Sequence, residues 1–262
     1  MSGSPDDYWR QQKIIITAAG SGIGADVAAA FLARGAKVYI CDVVAERVAE
    51  MKQKHANLDG EVVDVADPDA VDAFIDNGVK YLGGLSILVN NAGIAGPAGP
   101  VESVSTEDWN RTFAVNVAGQ FYCVRRAVPA LRANGGGSIV NMASVAGKFG
   151  FPLRSPYSTS KWAVIGFTRG LSIELGPDRI RVNAILPGVV EGDRIKRVFT
   201  DRAASKGISY DEMQRQALAS ASLGTMVTHE EIADLILYVT SPSGRSITGQ
   251  PLSICGGMEW LI

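Results

Sequence analysis

A chain of 262 residues with 47% hydrophobic and 20% charged side chains has the length of one α/β domain or two small ones, and apolar content for a large core. A net charge of −2 with no block of Lys or Arg argues against a nucleic-acid or anionic-membrane partner, and no apolar run reaches the roughly 18 residues that span a bilayer. Cys41, Cys123 and Cys255 are odd in number and far apart, and His55 and His229 lack zinc spacing, so a cytoplasmic protein with reduced thiols and no metal is expected, as one domain over residues 1–262.

Residues 1–12 are polar and predict a flexible start. The apolar run 13–17 (KIIIT) predicts a strand, and the amphipathic run 23–33 a helix; between them lies the turn TAAGSGIG. Glycines in such a turn let backbone N–H groups approach a pyrophosphate at a helix N-terminus, although a bare strand-to-helix connection reads the same way. A strand at 37–41 ends at Asp42, about twenty residues past the turn, where a carboxylate accepts hydrogen bonds from an adenosine ribose. That charge repels a 2′-phosphate, and no Arg or Lys occupies the turn or directly follows Asp42, so NAD is favoured over NADP. Otherwise Asp42 caps a helix at 45–54.

A third strand is expected at 61–65, then a helix over 70–81 begun by Asp67 and Pro68, and a strand at 85–90. The latter runs into a second glycine-bearing turn, Asn90, Asn91, Ala92 and Gly93, whose amides bridge strands or face a ligand. Ser105 or Thr106 caps a long helix at 107–132 carrying Asn116 in an apolar run. A buried Asn needs partners: it either braces the helix or holds a water next to Lys161. A strand at 135–142 delivers Ser144 at its carboxyl end, and a sixth strand at 180–186 closes on Pro187 and Gly188. This alternation predicts a doubly wound parallel sheet.

Residues 144–176 carry the chemistry. Ser155 as N-cap and Pro156 as N1 start a helix that Gly176 and Pro177 stop, placing Tyr157 and Lys161 on one face. A free phenol has a pKa of about 10, and a cation fixed within a few ångströms lowers it, so Tyr157 becomes a general acid/base. Ser144 offers a second hydroxyl to the reacting oxygen. Alone, a Tyr and Lys four apart are also an ordinary exposed helix pair.

Together, the turn at Thr17–Gly24, Asp64-Val65, Asn90 to Gly93, Asn116, Ser144, YSTSK from Tyr157, RVNAILPG from Arg181 and SITGQ from Ser246 resemble the short-chain dehydrogenase/reductase family over residues 13–257. The resemblance implies a Rossmann-type seven-stranded sheet in three α/β/α layers, a nicotinamide cofactor, and hydride transfer between a secondary alcohol and its ketone. It implies that Tyr157 is the acid/base, Lys161 lowers its pKa and binds the nicotinamide ribose, Ser144 orients substrate, and Asn116 maintains a proton-relay water. The cofactor would lie along Thr17, Gly20, Ser21, Gly22, Ile23 and Gly24, with Asp42 at the ribose and Asp64 and Val65 at the adenine. Asn91, Ala92 and Gly93 would border its middle, and Pro187, Gly188, Val189 and Val190 its nicotinamide. Family members are commonly homotetramers paired through the helices at 107–132 and 156–176 and the last strand; Trp162 would sit in such an interface or in the core.

The sequence departs from the family at Ala18 (usually Gly), Gly192 (usually a Thr that contacts the nicotinamide carboxamide) and Cys255 (usually Asp). Residues 188–223 are charged, helical in period and read as a substrate flap, with Gly192, Gly207 and Gly224 as flexible points. A helix at 228–240 starts with a Thr228/Glu231 capping box, and 250–254 is the last strand. Arg154, with Arg194 from the flap, is expected to hold an acidic or polyhydroxylated substrate; the competing role is an ion pair across a subunit interface. Phe149 and Phe151 favour instead a neutral cyclic or aromatic alcohol. A non-catalytic dinucleotide sensor is the reading of another class, and the presence of Asn116, Ser144, Tyr157 and Lys161 weighs against it.

Overall fold

Parallel strands need apolar cover on both faces, and the chain supplies it with helical layers on either side of one sheet. The structure, a computed structural model, describes residues 5–261; the side chains at 5–7, 194, 201, 202 and 205 lie outside that description. The strands are β1 (Lys13–Ile16), β2 (Lys37–Asp42), β3 (Leu58–Val62), β4 (Ile87–Asn90), β5 (Gly137–Met142), β6 (Ile180–Pro187) and β7 (Pro251–Ile254). Their spatial order is β3-β2-β1-β4-β5-β6-β7, and every pairing is parallel. The order reverses between β1 and β4, which is where open sheets of this kind hold ligands, beyond the carboxyl ends of the strands.

The helices are α1 (Pro5–Arg10), α2 (Gly22–Leu32), α3 (Ala45–Lys54), α4 (Pro68–Leu82), α5 (Thr106–Phe113), α6 (Gly119–Ala133), α7 (Ser155–Leu175), α8 (Asp193–Lys206), α9 (Tyr210–Leu218) and α10 (His229–Thr240). Side-chain alternation in β1 builds both cores. Ile14 and Ile16 pack with Phe31 of α2, Met51 of α3 and Ile236 of α10, whereas Ile15 packs with Phe74 of α4, Cys123 of α6 and Leu171 of α7. Burial pushes the Cys41 thiol up to about 12 and that of Cys123 well above its ordinary value, so neither is a thiolate near neutral pH. No helix among the described residues is long and apolar enough to cross a membrane.

Several caps sit where the residue types require them. The Asp67 carboxylate accepts from the amides of Asp69 and Ala70 ahead of α4, and Ser105 from that of Asp108 ahead of α5. Thr228 and Glu231 form the capping box of α10. The proposed flap consists of α8 and α9, and Gly192, Gly207 and Gly224 all hold positive φ at its bends.

Four local expectations are corrected. The start of the chain is not a loose tail throughout: residues 5–10 are helical, Trp9 is buried 5.5 Å from the Phe31 ring centroid, and the Tyr8 hydroxyl donates to the Thr240 carbonyl at 2.8 Å. Residues 1–4 lie outside the described residues. The third strand is at Leu58–Val62 rather than 61–65, because pairing with β2 runs from Leu58 opposite Val38 to Val62 opposite Asp42; the apolar Val63 and Val65 then leave the sheet to pack in the α4 and α6 layer. The single helix expected at 107–132 is broken by a π turn at Ala114–Ala118. Ser155 lies inside α7, whose N-cap is Arg154, with Pro156 still in the first turn.

Candidate active site

The first two turns of α7 carry Tyr157 and Lys161 on one helix face, since residues four apart are neighbours there, and Lys161 reaches the carboxyl end of β5. Lys161 is only 4% exposed. Its Nζ donates to the Met142 carbonyl at 2.9 Å, at the end of β5, and lies 5.7 Å from the centroid of the Tyr157 ring. The Arg154 guanidinium carbon lies 5.6 Å from that same centroid and 5.8 Å from that of Phe151, while Nη2 donates to the Ala95 carbonyl at 3.0 Å. Two cations therefore bear on one phenol.

Ser144 is held next to this helix by backbone geometry. Its Oγ accepts from the Ala146 amide at 3.2 Å and caps the short turn Val145–Gly147, and the Ala146 carbonyl in turn accepts from Ser158 Oγ of α7 at 2.8 Å. Asn116 is fully buried in the π turn. Its Oδ1 accepts from the Ile94 amide at 2.7 Å, and its Nδ2 donates to the Ile94 carbonyl and to Ser160 Oγ, both at 3.0 Å. These bonds brace the π turn against the loop at Ile94 and against α7. A Cβ at Gly93 would stand 3.3 Å from Lys161 Nζ and 3.4 Å from Asn116 Oδ1, so the absence of a side chain at 93 keeps open a small space that both groups border.

The turn after β1 fits a dinucleotide pyrophosphate. Ser21 is the N-cap of α2 yet makes no side-chain cap, and the first turn carries no acidic residue, so the first amides of the helix are open to an anion. Gly22 has φ +58°, and a Cβ there would meet nothing nearer than the His229 ring at 3.9 Å, leaving the approach to those amides bare. At Gly24 a Cβ would run into the Ala18 carbonyl at 2.4 Å. Ala18 itself takes φ +50°, the left-handed conformation for which the family's usual glycine is suited.

Other expected cofactor residues brace this turn. Thr17 Oγ1 accepts from the amides of Asn91 and Ala92, each at 3.0 Å, and Asn91 Nδ2 donates to the carbonyls of Thr17 and Ala18 at 3.1 and 2.9 Å. Asp42 is buried, with Oδ2 accepting from the Gly20 amide at 3.0 Å and Oδ1 from the Val44 amide at 3.1 Å. A carboxylate has about four lone-pair sites, so two amides fix its position without exhausting it. Val44, not Asp42, is the N-cap of α3. Asp64 is engaged by Arg111 at 2.8 Å and by the Ala66 amide at 3.0 Å, and Val65 is buried against Gly119. Ile23 packs against the α2 side of the core, while Pro187 ends β6. The Gly188 amide donates to the Ile254 carbonyl, and Val189 and Val190 are tied to Val227 by a backbone bond and a parallel bridge.

The side chain of Arg194 lies outside the described residues, so its pairing with Arg154 is not drawn. Trp162 is 52% exposed, which rules out the core as its place within this chain. Three residues gained no role from the sequence. Ser160, fully buried, accepts from Asn116 and donates to the Tyr157 carbonyl at 2.7 Å; a small polar residue beside Lys161 on the buried face of α7 was its signal. Arg47 packs its Cβ 2.7 Å from where a Gly20 Cβ would stand, a neighbour visible only once α3 folds over the turn. His229 reaches Asp26 across 203 residues of sequence.

The family model described as "Enoyl-(Acyl carrier protein) reductase" matches residues 17–259. The chain is 33% identical over 261 residues to trans-4-hydroxycyclohexanecarboxylate dehydrogenase of Sinomonas cyclohexanicum, covering 96% of this chain and 94% of that protein. Among solved structures, a tryptophan variant of actinorhodin polyketide ketoreductase with NADPH superposes with a TM-score of 0.89 at 30% identity, covering 95% of this chain and 97% of that one. An NAD+-bound xylitol dehydrogenase does so with 0.88 at 28% identity, covering 94% and 98%. From the YSTSK helix to the parallel sheet and the full-length matches, the chain belongs to the short-chain dehydrogenase/reductase family, a family of oxidoreductases that bind a nicotinamide dinucleotide.

Proposed function

We propose that this protein is an NAD-dependent dehydrogenase that interconverts a secondary alcohol and its ketone, on a substrate carrying a carboxylate or several hydroxyls. The observation that carries the reaction is Lys161 Nζ buried 5.7 Å from the Tyr157 ring. In the oxidative direction the Tyr157 oxygen takes the proton of the substrate hydroxyl, and the Lys161 ammonium stabilises the negative charge that oxygen carries before the transfer. Ser144 Oγ holds the substrate oxygen in line, and Asn116 keeps the loop at Ile94 and the start of α7 in register so that the proton can leave past Lys161. The nicotinamide ring supplies the hydride acceptor when bound. Thr17, the amides of Gly20 to Gly24, Asp42 and the 187–190 loop would hold that dinucleotide.

Asp42 supports NAD: its fixed carboxylate beside the Gly20 amide is suited to ribose hydroxyls and repels a phosphate. The relatives include both an NADPH and an NAD+ complex, and Arg47 next to Gly20 is the feature that favours the opposite choice. Turnover with each dinucleotide at matched concentration decides it: NAD is expected to support the higher kcat/KM, and a preference for NADP contradicts this part of the reading.

Arg154 supports an anionic or hydroxyl-rich substrate, because its guanidinium carbon lies 5.6 Å from the centroid of the Tyr157 ring and a guanidinium holds carboxylates in a fork. The S. cyclohexanicum relative is named for a hydroxylated ring carboxylate, and the xylitol dehydrogenase for a polyol. Arg154→Ala should lower kcat/KM on hydroxy acids about tenfold or more while leaving neutral cyclic alcohols within about threefold. Equal losses on both would favour the neutral cyclic or aromatic substrate that Phe149 and Phe151 suit. We place the active form as a cytoplasmic homotetramer, supported by the exposed Trp109, Phe121, Trp162 and Ile173 on α5 to α7; a monomer in light scattering contradicts it.

A further inference from the structure

His229 opens α10, but it is not part of the cap. The Thr228 hydroxyl accepts from the Glu231 amide at 3.1 Å and the Glu231 carboxylate accepts from the Thr228 amide at 2.7 Å, so the capping box is complete without it. The imidazole instead lies across the gap to α2, where Nδ1 sits 2.8 Å from Asp26 Oδ2. Its opposite edge, Cε1 and Nε2, borders two glycines from distant parts of the chain. Cε1 is 3.9 Å from the Cβ position of Gly22, the first residue of α2, and Nε2 is 3.6 Å from that of Gly192, the N-cap residue of α8 at the root of the proposed flap. Its side chain is 26% exposed. The ring is thus wedged between the uncapped α2 N-terminus and the flap root, in the room that two missing side chains leave.

We propose that His229 is a further cofactor-binding residue, donating from Nε2–H to the pyrophosphate of the dinucleotide, with Asp26 setting the orientation of the ring. The inference rests on the dinucleotide-binding reading of the α2 turn given above. Asp26 accepts from Nδ1–H and so fixes which ring edge faces the turn; in the doubly protonated ring the remaining N–H points to the Gly22 and Gly192 side. A pyrophosphate at the α2 N-terminus is the group that calls for a second donor there, and a charged donor makes a stronger bond to phosphate oxygen than a neutral one. Gly192 offers no hydroxyl of its own, and His229 brings a polar group to that place from another helix.

The test measures dissociation constants of NAD+, NADP+, ADP-ribose and adenosine by calorimetry or competition, for the wild type, His229→Gln and Asp26→Asn. His229→Gln is expected to weaken NAD+ and ADP-ribose alike, about tenfold or more, and to leave adenosine within about twofold; Asp26→Asn should produce the same pattern with a smaller loss. Both variants should melt within about 2 °C of the wild type without ligand. Unchanged NAD+ affinity in His229→Gln, or an equal loss for adenosine, overturns the proposal. A loss confined to NAD+ and absent from ADP-ribose moves the contact to the nicotinamide and overturns the pyrophosphate assignment. A wild type that binds none of NAD+, NADP+ and ADP-ribose contradicts the dinucleotide reading itself, which separates the two failures.

Discussion

Lys161 is buried with its Nζ bonded to the Met142 carbonyl and 5.7 Å from the Tyr157 ring centroid, so the end of β5 positions the cation for the phenol. Methionine at 161 keeps the volume of the side chain and removes its charge. Lys161→Met is expected to lower kcat by about 10²-fold or more while the protein remains folded by circular dichroism. Retention of most of the activity would mean that the phenol works without its cation.

Ala18 holds φ +50° without being a glycine. The left-handed conformation costs an L-residue roughly 1–2 kcal/mol, and the greater freedom of glycine in the unfolded chain returns about 0.4–1 kcal/mol of that. Ala18→Gly is therefore expected to be neutral or stabilising by up to about 1.6 kcal/mol in urea unfolding. A destabilisation of more than about 1 kcal/mol would show that the alanine methyl contributes packing that outweighs its strain.

Arg181 is a half-buried clamp on the end of α10. Its guanidinium donates to the carbonyls of Val239, Thr240, Gly244 and Ile247, satisfying groups that a helix C-terminus leaves unpaired. Arg181→Met leaves the Val239 carbonyl without its side-chain donor, while those of Thr240, Gly244 and Ile247 keep bonds from Tyr8, the Ile247 amide and Asn183, and should cost about 1–3 kcal/mol, read as a fall in Tm of about 3–8 °C. A change below 2 °C contradicts the clamp.

Acid should unfold the protein in a predictable window. Burial pushes the Asp64 carboxyl up, but hydrogen bonds from the Ala66 amide and from Arg111, together with the Arg111 charge, outweigh it and leave it below its ordinary value of 3.8; the hydrogen bond from Arg126 holds Asp76 low in the same way. A carboxylate depressed by folding contributes stability above its unfolded pKa and loses it as the pH falls through the lower folded value. The urea midpoint is expected to be level down to about pH 4.5 and to fall below about pH 4, by less in Asp64→Asn. A midpoint that is flat or rises toward pH 3 contradicts these assignments.

Much of the sheet and the pairing of Tyr157 with Lys161 on one helix face were legible in the sequence because they rest on local patterns. Ile14 to Ile16, the glycine turn and Tyr157 with Lys161 declare themselves within a few residues. What was not legible depends on distant partners. β3 slid three residues because the register with β2, not the valine content of 61–65, sets an edge strand. The π turn at Asn116 coincides with bonds to Ile94 and Ser160, and Trp9 is buried against Phe31, more than twenty residues away in the chain. The His229 and Asp26 pair joins helices at opposite ends of the chain, with no motif to announce it.

Tyr157→Phe tests the central assignment most directly, since it deletes one oxygen and leaves the ring that Arg154 and Lys161 pack against. The alcohol is first found by screening candidates with NAD for absorbance of the reduced nicotinamide, and kcat and the NAD dissociation constant are then measured for both proteins. Tyr157→Phe is expected to have a kcat lower by about 10²–10⁴-fold with the dissociation constant within about threefold. A kcat within tenfold of the wild type would contradict it.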